Sequence, residues 1–108
     1  MDNPWSGVVS LDVDGTKRAM SLTLGALAEL ETTLGDDTLV SLVERFESGA
    51  FSSRDVLTLI VAGLRGGGWD ISAADLIAAD IKGGPMAAAK AAAQLLARAF
   101  LMPEERRG

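Results

Sequence analysis

The chain has 108 residues, of which 48% are hydrophobic and 23% charged, and fifteen acidic against ten basic side chains give a net charge of −5. This length and this apolar fraction predict one globular domain with one core. The sequence contains neither cysteine nor histidine, which excludes disulfides, thiolate and imidazole catalysis, and most zinc, haem and iron–sulfur sites.

Charge and hydropathy also limit the partners. A net negative charge is the wrong sign for a protein whose affinity comes from neutralising phosphates, so no nucleic acid ligand is expected. Residues 1–5 have no basic region followed by an apolar run, and no later stretch approaches the roughly 18 uninterrupted apolar residues of a membrane span. We therefore expect a soluble protein of the bacterial cytoplasm with no membrane partner.

Residues 7–22 predict a β-hairpin. Val9, Leu11 and Val13 alternate with polar residues, and Asp14-Gly15 provides the positive φ angles of a two-residue turn. The cross-strand pairs that this turn predicts are Val13 with Thr16, Asp12 with Lys17, Leu11 with Arg18, and Val9 with Met20. Since a lone hairpin is marginally stable in water, its apolar face must pack on the following helices or on a strand of another chain.

Residues 23–101 predict a bundle of about five short helices. The first begins after Thr23, a plausible N-cap, and ends at Gly35. Its apolar positions, three and four residues apart, are Leu24, Leu27, Leu30 and Leu34. The second ends at Gly49, where a left-handed residue is favoured. Its apolar positions are Leu39, Leu42, Val43 and Phe46.

The third helix is expected to form the centre of the core. Ser52 and Asp55 have the spacing of a capping box. The apolar residues that follow are Val56, Leu57, Ile60, Val61 and Leu64. Gly63 within this helix predicts close packing of another backbone. The helix should end at Gly66-Gly67-Gly68 in a mobile turn.

Two further helices complete the prediction. Ser72 and Asp75 repeat the capping spacing ahead of a short helix. The apolar residues of this short helix are Leu76, Ile77 and Ile81. Gly83-Gly84-Pro85 ends it and opens a last helix that runs to about Leu101. The alanine-rich first half of that helix is expected to be loose and its second half docked, with residues 102–108 as a flexible, solvated tail. The fold class is mainly α (α+β).

Several short motifs have structural explanations that are simpler than functional ones. The glycine run at 66–68 lacks the strand and the Gly-Lys-Ser/Thr ending of a phosphate loop. Asp12-Val13-Asp14-Gly15 lacks the later ligands of a calcium loop. Asp37-Thr38-Leu39 has threonine where acyl carrier proteins have their modified serine, which leaves an acyl-carrier-like binding module as a remote alternative. No catalytic, cofactor-binding or metal-binding residue is predicted, and an enzyme is not expected.

Read as a whole, the chain resembles the gene-transfer-agent and prophage tail family of tail assembly chaperones and tail tube-associated proteins. The matching segments are residues 22–31, 45–57, 62–68 and 95–100. The resemblance implies a small helical protein encoded among the tail genes, without catalytic residues. It implies a chaperone that coats the tape-measure protein until tube subunits replace it. The alternative is a structural tail tube subunit or tube-associated component, and the oligomeric state is left open.

A chaperone of long helices needs an exposed apolar groove. We place this groove between the second and third helices, with Phe46, Phe51 and Trp69 as partner-binding residues, because aromatic side chains are favoured anchors in helix-binding grooves. The competing interpretation is that all three are core residues, with Trp69 as a plug over the end of the third helix.

Overall fold

The computed structural model describes residues 9–100 and contains a two-stranded hairpin followed by five helices. The elements are β1 (Val9–Val13), β2 (Thr16–Met20), α1 (Leu24–Leu34), α2 (Leu39–Ser48), α3 (Ser53–Gly66), α4 (Ala73–Ile77) and α5 (Gly84–Phe100). The predicted mainly helical fold with an N-terminal hairpin is confirmed. The predicted tail at 102–108, the first hairpin residues 7–8 and Leu101 lie outside the described residues.

The hairpin has the predicted register: all four predicted pairs form, and Ser10 with Ala19 is the fifth. Asp14 and Gly15 have φ angles of 52° and 85°, as a type I′ turn requires. The inner face of the hairpin is buried. The sheet therefore packs on the helices of its own chain.

A bridge to a distant segment extends the hairpin. Ile81 forms an antiparallel bridge with Val13, and the Asp14 N–H donates to the Asp80 carbonyl at 2.8 Å. The sequence places Ile81 in the fourth helix, which is wrong, because α4 ends at Ile77. The chain becomes extended there because Ile81 completes the edge of β1.

The third helix, α3, lies at the centre of the core, between α1, α5 and β2. A Cβ placed on Gly63 would lie 2.6 Å from Leu95 Cδ1. Closer backbone approaches occur at the helix end, where a Cβ on Gly66 would lie 1.9 Å from the Ser21 carbonyl oxygen. The atoms nearest to a Cβ on Gly63 belong to side chains, so the close backbone approach predicted at Gly63 is found instead at Gly66 and Gly67. The glycine run is packed beneath the end of β2 rather than forming only a helix stop.

The alanine-rich first half of α5 is docked, contrary to the expectation that it is loose. Ala88, Ala91 and Ala92 are buried together with the larger Leu95 and Leu96. Small side chains let the α5 backbone approach its neighbours closely. The core is therefore filled there even though each alanine buries little apolar area. Among the described helices, none is long and apolar enough to cross a membrane.

Candidate functional site

An open apolar groove lies between the first half of α3, α4 and the first turns of α5. Its volume is about 600 Å³, within the roughly 300–1,000 Å³ of typical binding pockets. The largest apolar residues along it are Phe51, Leu57, Ile60, Leu76, Ile77, Ile81 and Met86. It has no charged residue in its lining, and its only side-chain hydroxyls are those of Ser52 and Ser53.

Two apolar side chains stand at the groove with most of their surface in solvent. Ile77 is 69% exposed and Met86 is 81% exposed. The sequence analysis names Ile77 among the apolar residues of the fourth helix, and in the five-residue α4 it is Leu76 that faces the core. Exposed apolar side chains beside an apolar groove are typical of a protein interaction site.

Phe51 lines this groove, and Phe46 reaches it only indirectly. The two rings stack with centroids 4.5 Å apart and planes inclined by 6°. Phe46 belongs to α2, whereas Phe51 lies in the connection to α3. The structure therefore brings two of the three predicted partner-binding residues together. The open groove lies between α3, α4 and α5 rather than between α2 and α3, where the sequence placed it.

An ion-pair network fastens α2 to the start of α3 beside the groove. Arg45 donates to both carboxylate oxygens of Asp55, at 2.8 and 2.9 Å, and contacts the Asp37 carboxylate at 2.8 Å. Asp55 is only 8% exposed and also accepts from the Ser52 N–H at 2.9 Å, which completes the predicted capping box. Hydrogen bonds from Arg45 lower the pKa of Asp55 and of Asp37. The network ties α2, which carries Phe46, to the start of α3, which follows Phe51.

Trp69 lies at the other end of α3. Its backbone N–H donates to the Leu64 carbonyl at 3.0 Å, and its half-buried ring packs against the core. The Arg18 guanidinium carbon lies 3.9 Å from the ring centroid, in cation–π geometry. Because α3 has 14 residues and rises about 1.5 Å per residue, Trp69 and Phe51 do not share one groove. Its position matches the plug interpretation.

We expect Arg18→Ala to lower the free energy of unfolding by about 1–2 kcal/mol, since the substitution removes the cation–π contact and the packing of the arginine stem. The matched control is Lys17→Ala, at the neighbouring and exposed strand position, for which we expect a loss of no more than about 0.5 kcal/mol. Urea unfolding measures both. Equal losses would mean that the Arg18 and Trp69 contact contributes nothing to stability.

A second cluster of charges lies at the C-terminal end of α3. Arg65 donates to Glu29 at 2.9 Å and also pairs with Asp70. The hydrogen bond from Arg65 lowers the pKa of Glu29, so this carboxylate is held ionised and is unsuited to act as a general acid. In residues 9–100, no group of three or more acidic side chains is placed to hold a metal ion.

Thr38 has a structural role in the described fold. Its hydroxyl oxygen accepts from the Ser41 N–H at 3.0 Å and caps α2. An N-cap hydroxyl used in this way is explained by helix stability alone. Nothing else about the residue points to the acyl-carrier-like alternative.

The residues that sequence reasoning missed are Met86 and Ile77. Met86 follows Pro85 in an alanine-rich stretch, and no large apolar residue lies three or four positions after it to mark an amphipathic face. Its isolation is the signal that could have identified it, because a long apolar side chain without helical partners is free to face outward. Exposure depends on how α4 and α5 meet, which periodicity does not describe.

The comparison with protein families matches residues 6–102 of the chain to the model described as "Phage tail tube protein, GTA-gp10". No curated protein and no solved structure matches the chain. The match covers the whole hairpin and every helix described above. The chain belongs to this family of phage and gene-transfer-agent tail proteins.

Proposed function

We propose that this tail protein is a non-catalytic tail assembly chaperone that binds the tape-measure protein through the groove between α3, α4 and α5. The observation that carries the proposal is the pairing of an open apolar groove with two exposed apolar side chains, Ile77 and Met86, on a chain of this family. A chaperone must cover apolar stripes of a long helical client while its own remaining surface stays charged.

The three predicted aromatic residues have different places in this proposal. Phe51 lines the groove and would contact the client directly. Phe46 would act as a positioning residue, since it stacks on Phe51. Trp69 would contact the client only if the bound segment extended past the far end of α3, beyond about 20 Å.

The first experiment is co-expression with the tape-measure protein of the same tail gene cluster, followed by light scattering. We expect the two proteins to co-elute and the tape measure to stay soluble only with its partner. Met86→Glu should reduce the soluble tape measure at least about fivefold, since it places a charge on the apolar contact surface. Leu24→Glu is the matched control, because Leu24 is 84% exposed and lies outside the groove.

The chaperone proposal would be abandoned if the tape measure were equally soluble with and without the wild-type chain. If the Met86 and Leu24 substitutions had equal effects, the solubility of the tape measure would not depend on the groove. Both variants change positions that are more than 80% exposed, so circular dichroism should report an unchanged fold for each of them.

A structural tail tube subunit is the second candidate, and the description of the matching family as a tail tube protein favours it. A tube would require strands of neighbouring chains to join. Here part of the β1 edge already pairs with Ile81, and the end of β2 lies against Gly66 and Gly67. Light scattering of the isolated chain distinguishes the candidates, because a tube subunit would form rings or tubes without the tape measure.

A further inference from the structure

We propose that the occupant of the groove is an amphipathic helix whose apolar stripe is flanked by carboxylates. This inference rests on the proposed function, and it adds the location and the chemical class of the client segment. It predicts that an acidic helix of the tape-measure protein binds across α3, α4 and α5, and that a basic helix does not.

The lining of the groove favours a protein segment over a small molecule. Specific small-molecule sites combine an apolar lining with a few polar groups that fix the orientation of the ligand. The groove is poor in such groups: the hydroxyl of Ser52 is used to cap α3, accepting from the Asp55 N–H at 3.1 Å, which leaves the hydroxyl of Ser53, and the lining contains no charged side chain. Such a lining recognises the shape of an apolar surface. The exposed side chains of Ile77 and Met86 extend this apolar surface beyond the cavity itself.

The backbone of the groove favours a helix over an extended peptide. An added strand needs a sheet edge with free N–H and carbonyl groups. Most lining residues belong to helices, whose backbone groups bond internally. Ile81 is the lining residue with extended pairing, yet its bridge partner is Val13 and its carbonyl accepts from the Gly84 N–H at 2.9 Å. An occupant must therefore satisfy its own backbone, as a helix does.

The distribution of charge on the chain indicates the sign of the charge that the bound helix carries. Residues 9–50 carry eight acidic and three basic side chains, whereas residues 51–100, which form the groove, carry four acidic and five basic ones. A basic helix would be drawn to the acidic half formed by the hairpin, α1 and α2. An acidic helix is repelled from that half and is accepted only on the groove side.

Three cations next to lining residues in the sequence would meet the carboxylates of the client. Arg54, Lys82 and Lys90 are exposed, and each directly follows a lining residue in the sequence. Within residues 9–100, none of the three forms an ion pair. The nearby exposed carboxylates are those of Asp75 and Asp80, and Asp75 caps α4 by accepting from the Ser72 N–H.

Two synthetic helical peptides of about 18 residues, or five turns, test the proposal. Both carry leucines at i, i+3, i+4 and i+7; one has glutamates beside this stripe and the other has lysines. Calorimetric titration at low ionic strength should give at least about tenfold tighter binding of the glutamate peptide. The difference should shrink at about 1 M salt, where the Debye length is only about 3 Å.

Variants of the chain make the test specific to the groove. Ile77→Glu should weaken binding of the glutamate peptide at least about tenfold, since it adds a buried and repelled charge. Val40→Glu is the matched control, because Val40 is 67% exposed on α2, outside the groove. It should change binding less than about twofold. The double variant Lys82→Glu/Lys90→Glu should remove or reverse the preference for the glutamate peptide.

Failure of the glutamate peptide to bind, equal binding of both peptides, tighter binding of the lysine peptide, or equal effects of Ile77→Glu and Val40→Glu would each overturn the proposal. Co-expression with the tape-measure protein distinguishes failure of this inference from failure of the proposed chaperone function. A wild-type chain that solubilises the tape measure but shows no preference for the glutamate peptide would remove this inference alone. A chain that prefers the glutamate peptide but leaves the tape measure insoluble would remove the chaperone function alone.

Discussion

Gly66→Ala is expected to lower the free energy of unfolding by about 3 kcal/mol, the upper end of the usual cost of overpacking. A Cβ at this position would lie 1.9 Å from the carbonyl oxygen of Ser21 and 3.1 Å from the Cβ of Ala26. The first of these is a backbone atom of the segment that leaves β2, so it cannot rotate away as the tip of a side chain can. Gly66 has no positive φ angle, so the loss reflects the contact and not the conformation of alanine.

Urea unfolding measures this loss, and the thermal midpoint should fall by more than about 10 °C for a domain of this size. Gly25→Ala is the control, since the nearest atom to a Cβ there is Thr23 Oγ1 at 4.0 Å. Alanine at this helical position should leave stability unchanged or raise it by up to about 1 kcal/mol. A Gly66→Ala protein as stable as Gly25→Ala would show that the end of β2 does not pack on α3 as described.

Asp55→Asn is expected to lower the free energy of unfolding at neutral pH by about 2–3 kcal/mol. The substitution leaves the guanidinium of Arg45 without its bidentate partner and weakens the capping box at Ser52. Loss of one partner of a fully buried pair costs about 3–5 kcal/mol, and the lower figure applies because Arg45 remains partly exposed. Chemical denaturation at pH 7 measures the difference.

The pH dependence of stability gives this prediction a second readout. Hydrogen bonds from Arg45 depress the pKa of Asp55 in the folded protein. A depressed pKa contributes stability above the unfolded value, near pH 4, and that contribution disappears as the pH falls through the folded pKa. The wild-type protein should therefore lose stability in acid, and Asp55→Asn should lose less over the same range.

The matched control is Asp75→Asn, which alters the second capping box, where no ion pair with the carboxylate is found in the described residues. Its cost at neutral pH should not exceed about 1 kcal/mol. The stability of Asp75→Asn should still fall in acid as that of the wild type does, because the pair between Asp55 and Arg45 is intact. Identical acid profiles for the wild type and Asp55→Asn would contradict a stabilising role of that pair.

Local chemistry made much of the fold predictable. The Asp14-Gly15 turn set the register of the hairpin, and Ser52 and Ser72 marked helix starts through capping boxes. Contacts between distant segments were not predictable in this way. Leu24 has the right helical spacing for the core, yet it is exposed, because α1 begins at that residue, before the helix reaches its neighbours. The pairing of Ile81 has no local signal either.

The candidate site was only partly predictable for the same reason. The aromatic character of Phe46 and Phe51 predicted a binding surface near the start of α3, and the two rings stack there. The open groove depends on how α4 and α5 meet α3, and this is a tertiary arrangement. Trp69 had no sequence signal for its contact with Arg18, which lies on a distant strand.

The bridge between Val13 and Ile81 also has a consequence for biosynthesis. The hydrogen bond from Asp80 to Asp14 spans 66 positions, so the hairpin leaves the ribosome long before the segment that completes its edge. A two-stranded hairpin alone is marginally stable, and closure of so long a loop must come before its contacts contribute. We therefore expect the nascent chain to expose the apolar face of its hairpin until translation has passed Ile81, which makes the early product a client for general chaperones.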